Sequence, residues 1–91
     1  MSTQKVIVKK LTLEEILVKD ILEWPIATKE ASVFEWYYET QEECLIIEGE
    51  VMIDTPEIIY YIRKGDFVIF PKGLKCTWYI KEAVSKHYRF S

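Results

Sequence analysis

At 91 residues the chain falls below the roughly 100–150 residues commonest for one domain, which excludes a second core and makes residues 1–91 one folding unit. Apolar side chains supply 49 % of the chain and aromatics 14 %, with three Trp and six Tyr, too much hydrophobic surface for a disordered polymer. A net charge of −3 with the signs interspersed provides no basic stripe and argues against nucleic acid or an anionic membrane as partner.

The opening Met1-Ser2-Thr3-Gln4-Lys5 is polar and lacks the apolar core of a secretory signal, and no run approaches the roughly 18 apolar residues of a membrane helix. A cytoplasmic location is expected. Thr12-Leu13-Glu14-Glu15 has the pattern of a capping box, with Thr12 as N-cap and Glu15 at the third helical position, and Ile16, Leu17 and Val18 follow. The spacing predicts a short helix. Trp24-Pro25 ends it, because proline disfavours helical geometry in the residue before it and has no N–H to donate. Residues 1–23 thus read as an extension and 24–90 as an all-β unit. Glu14, Glu15, Lys19, Asp20, Glu23, Lys29 and Glu30 read as solvated surface.

Val33 to Tyr38 alternates, with Phe34, Trp36 and Tyr38 on one face, a period of two that predicts a strand. Cys44 to Ile47 and Val51 to Ile53 flank Gly49, which predicts a hairpin with Gly49 in its turn. Ile58 to Ile62, Phe67 to Phe70, Cys76 to Ile80 and Lys86 to Phe90 complete the strands. Arg63-Lys64-Gly65-Asp66, Pro71-Lys72-Gly73 and Glu82-Ala83 separate them. Many short strands with regular turns point to a barrel or sandwich. Cys44 and Cys76 are too far apart in sequence for a CxxC redox or zinc motif and fit a reducing compartment.

Gly65 to Gly73 has the form G-x5-P-x-G, which resembles the second cupin motif, and Glu42 lies seven residues before Gly49 as in the Glu-x6-Gly end of the first. Trp24-Pro25, Phe34-x-Trp36-x-Tyr38, Cys76-x-Trp78 and Lys86-His87-Tyr88 are similar to the small one-domain cupins grouped with ureidoglycine aminohydrolase and the ethanolamine-utilisation cupin. The resemblance implies a small cupin-type double-stranded β-helix, a jelly-roll barrel, behind a short N-terminal helix. It also implies a metal site, but Trp36, Tyr38 and Cys76 stand where the three histidine ligands belong, and Glu42 alone keeps its type.

If Trp36 and Tyr38 face inward as those histidines do, alternation brings Phe34, Glu42, Cys44, Cys76 and Trp78 to the same interior. That set suits a metal-free pocket that takes a small molecule by stacking and hydrogen bonds. The opposing expectation is that the rings simply fill the interior. The other functional class is a hydrolase, lyase or isomerase acting on a small nitrogenous or sugar-like metabolite. In it Glu42 would be the acid–base group, its pKa raised by burial against aromatic rings. A divalent transition metal on Glu42 and Cys76 is the weaker alternative, since iron and manganese cupins rely on imidazoles. Cys76, facing indoles and a carboxylate, is expected to be a poor nucleophile with a raised pKa. The lone His87 reads as a structural, hydrogen-bonded residue. Trp24-Pro25-Ile26 is expected to pack under the barrel or against a second subunit, and monomer and homodimer stay open, with small size favouring the dimer.

Overall fold

The computed structural model describes residues 5–91, so the reading of the opening segment through Gln4 lies outside the described residues. No described helix is long and apolar enough to cross a membrane. The elements in order are β1 (Ile7–Lys10), α1 (Leu13–Val18), a 3₁₀ turn (Ile21–Glu23), β2 (Ile26–Lys29), β3 (Ser32–Tyr37), β4 (Glu42–Asp54), β5 (Ile59–Arg63), β6 (Asp66–Phe70) and β7 (Lys75–Phe90).

The capping box forms as expected. The Glu15 N–H donates to Thr12 Oγ1 at 3.1 Å and the Thr12 N–H donates to Glu15 Oε1 at 2.8 Å, satisfying two donors at a helix start that would otherwise lack partners. The helix lasts six residues. Strand β1 lies in the segment read as an extension; it joins the sheet by pairing antiparallel with β6.

All strands pair antiparallel in the order β1-β6-β4-β7-β2, with β3 on the first half of β7 and β5 on the second half of β4. The sheet winds as a jelly roll but does not close on itself. Its framework is two long strands, β4 of 13 residues and β7 of 16. This corrects two expectations. Gly49 is not a hairpin turn, and Glu82-Ala83 does not divide two strands; the chain runs on through both.

The physical reason is a close crossing. Gly49 has φ +86°, and a Cβ there would lie 2.2 Å from the Ala83 carbonyl oxygen, so only glycine lets the two backbones meet. The β4–β7 register slips repeatedly between Ile46 and Val51, as a bulged strand does when it bends. Beyond the bulge the buried side chains of β4 change from Glu42, Cys44 and Ile46 to Val51 and Ile53, while β7 keeps Cys76, Trp78, Ile80 and Val84 inward. Side chains from both halves of each long strand therefore meet in one core.

A smaller core lies on the other face, where Ile21, Trp24, Leu45 and Phe67 pack together with Leu11 and Ile16 against them. Of Trp24-Pro25-Ile26, only Trp24 packs under the sheet; Pro25 and Ile26 are exposed. The turn of the second glycine-proline motif fixes Tyr38: the Gly73 N–H, at φ +90°, donates to the Tyr38 carbonyl at 2.7 Å, and the Tyr38 N–H donates to the Leu74 carbonyl at 2.9 Å.

Candidate functional site

On the inner face an open depression of about 320 Å³ is walled by Phe34, Trp36, Trp78 and Tyr88, with Glu42 and Lys86 also lining it. Strand alternation supplies the walls. Phe34 and Trp36 come from β3, which pairs with the first half of β7, and Trp78 lies directly opposite Phe34. The Phe34 and Trp78 rings stack at 5.9 Å and 12°, and Tyr38 stacks on Phe70 at 4.8 Å and 7°.

Glu42 faces inward and is only 2 % exposed. Its Oε2 accepts from Lys86 Nζ at 2.7 Å, and the same ammonium stands 4.7 Å over the Trp78 ring. The carboxylate is thus buried against a lysine as well as against rings, because an ionised carboxylate is retained in an interior only when paired. The Tyr38 hydroxyl lies beside Glu42; burial, and then that negative charge, push its pKa well above that of an ordinary phenol.

Trp36 shares the inward face but is 46 % exposed and forms the rim, edge-on to Tyr38 at 6.3 Å. Cys44 and Cys76 belong to the core and neither lines the depression; Cys76 instead borders a second, separate hollow beside Glu35 and Asp54. Burial raises both thiols, Cys44 to about 12 and Cys76 to about 11, so neither is an activated nucleophile at neutral pH. On Cys76 the Trp78 side chain opposes part of that rise; the indole Nε1–H is buried with no acceptor in full hydrogen-bonding geometry among the described residues. His87 lies on the opposite face, where its Nδ1–H donates to the Trp24 carbonyl at 2.9 Å.

The residues at the cupin metal positions do not fit a metal ion. Trp36 offers no donor, Glu42 is engaged by an ammonium, Cys76 is held as a thiol, and no three His, Cys, Asp or Glu side chains converge among the described residues.

Two charged lining residues were not anticipated. Lys29, read as surface, lines the depression with its Nζ 5.1 Å over the Phe34 ring. Lys86 was legible in principle: it shares even-numbered parity with Cys76 and Trp78, and counting through residues 82–83 without a turn puts it on the same face.

A wound antiparallel sheet on two bent strands, with a pocket at the position of the cupin centre, is the architecture of a small cupin-superfamily protein. The EutQ-like cupin domain matches residues 19–88, and the chain belongs to that family. A DUF861 family protein from Thermotoga maritima is 45 % identical over 96 % of this chain and all of its own, with a TM-score of 0.93. The Clostridium difficile EutQ protein is 20 % identical (TM-score 0.66) and covers 97 % of this chain and 68 % of its own. A putative ethanolamine utilization protein Q from Salmonella typhimurium is 19 % identical (TM-score 0.63), covering 93 % and 68 %. These last two share the fold. No functionally curated protein matches.

Proposed function

We propose that this protein is a small-molecule-binding cupin whose ligand enters the depression over the Glu42–Lys86 pair. The observation that carries the reading is that the depression stays open: its rings line a cleft of about 320 Å³ with a buried ion pair in it, whereas rings that served packing alone would fill it. Apolar walls with a few convergent polar groups are what small-molecule sites share. The enzyme alternative, with Glu42 as acid–base group, has less support, because Lys86 Nζ already holds that carboxylate at 2.7 Å. The two free, buried thiols support the expected cytoplasmic location.

The test is a thermal-shift screen of a metabolite library against the wild type and against Ala27→Phe, which adds a ring at a lining position. Compounds that raise the Tm of the wild type and not of the variant are the expected result. A library without a stabilising compound, or one whose hits stabilise Ala27→Phe equally, removes the reading.

A further inference from the structure

The charges of the depression narrow the ligand further, on the reading that it is a binding site. Its charged lining groups are Lys29, Glu42 and Lys86, and its phenols are Tyr38 and Tyr88. Two ammoniums against one carboxylate leave one positive charge. Lys29 has no carboxylate at ion-pair distance among the described residues. Lys86 carries three N–H donors, of which Glu42 takes one and the Trp78 ring face covers another side, so at least one remains for a ligand.

The two lysines sit on different rings of one stacked pair, Lys29 on Phe34 and Lys86 on Trp78. Both lysines line the one depression, so a ligand inside it lies in the field of both charges. A cation would face two ammoniums, and a neutral ligand would leave the uncompensated charge without a counterpart. A dianion or a phosphate monoester, at about −1.5 to −2, would bring more negative charge than the site balances. Aromatic walls favour a flat apolar body that stacks.

We propose that the ligand is a small planar monocarboxylate, its carboxylate taken by Lys86 and Lys29 and its flat body held against the exposed ring of Trp36.

Titration of tryptophan fluorescence on the intact chain at pH 7 and low salt tests this with four probes of one ring: benzoate, benzamide, benzamidine and phthalate. Benzoate is expected to bind at least about tenfold more tightly than each of the others, the scale of one charge-assisted hydrogen bond. Lys29→Met is expected to weaken benzoate severalfold, and Lys86→Met to reduce it to the level of benzamide. The wild-type series stands without the variants, so a poorly folded Lys86→Met leaves the inference open to refutation. Benzamide, benzamidine or phthalate binding as tightly as benzoate overturns the monocarboxylate assignment and leaves the pocket reading intact. No binding by any of the four also overturns it, and the library screen then decides the broader reading on its own.

Discussion

Strand β7 presents two faces whose residues alternate one by one and meet opposite surroundings. On the outer face His87 donates to the Trp24 carbonyl at 2.9 Å, and the Arg89 guanidinium lies 4.5 Å over the Trp24 ring while pairing with Glu43. Every one of those partners comes from the adjacent N-terminal segment or the neighbouring strand, so the polar groups of that face are already taken. On the inner face Lys86 is held by a buried carboxylate, and the space above it is left open. A histidine and a lysine adjacent in sequence thus divide structure from candidate function.

The largest expected effect tests the bend that gives both faces their shape. Gly49→Ala combines a left-handed backbone with a Cβ 2.2 Å from the Ala83 oxygen, and should cost on the order of 4 kcal/mol. That removes from about a quarter to most of a total stability of about 5–15 kcal/mol. Gly65→Ala, with φ +94° but its nearest neighbour the Lys10 Nζ at 3.8 Å, carries only the backbone strain, about 1–2 kcal/mol. Circular dichroism during urea unfolding of both variants checks the pair; equal losses would mean that the crossing at Ala83 is not what demands glycine.

The two ion pairs set the faces against each other directly. Lys86→Met strands Glu42 in the interior and should cost about 3 kcal/mol. Arg89→Ala removes a half-exposed partner of Glu43 and should cost under about 1 kcal/mol. Urea midpoints at equal m-values measure both, and comparable costs would erase the distinction.

A further effect concerns alkaline pH. Cys76 is raised from 9.0 to about 11 and Cys44 to about 12 in the fold, so above pH 9 the unfolded chain releases protons that the folded chain keeps. Stability is therefore full below about pH 9 and falls as pH rises towards 11. Urea midpoints between pH 8 and 11 follow this loss, and Cys44→Ala should flatten it. A midpoint independent of pH over that range would show that the inner face is not dry at its sulfurs.

Much of the architecture was legible because it is written locally. The capping box at Thr12 and Glu15 depends on residues three apart, and the turns at Gly65 and Gly73 need a backbone conformation that glycine supplies. The alternation of Phe34, Trp36 and Tyr38 follows from strand geometry. The misreading at Gly49 and Glu82-Ala83 has one cause. A glycine between two apolar runs looks the same whether the chain reverses there or bends past another strand, and the Ala83 oxygen that decides the matter is 34 positions away. Splitting β7 at that point broke the parity count, and Lys86 dropped out of the candidate site with it.

By itself the sequence determined the strand-rich class, the helix at Thr12, the resemblance to cupins and the substitution of the usual histidines by Trp36, Tyr38 and Cys76. Each of these is carried by neighbours in the chain or by a single residue's chemistry. Only the tertiary structure decided that Trp36 forms a rim, that the thiols belong to the core and not to the pocket wall, and that Glu42 is held by Lys86. In register Glu42 faces Phe90 and Lys86 faces Ile46, positions separated along β4 by roughly 13 Å of strand. The two charges meet because their side chains lean together, the buried carboxylate of Glu42 finding in Lys86 the partner that its interior position requires.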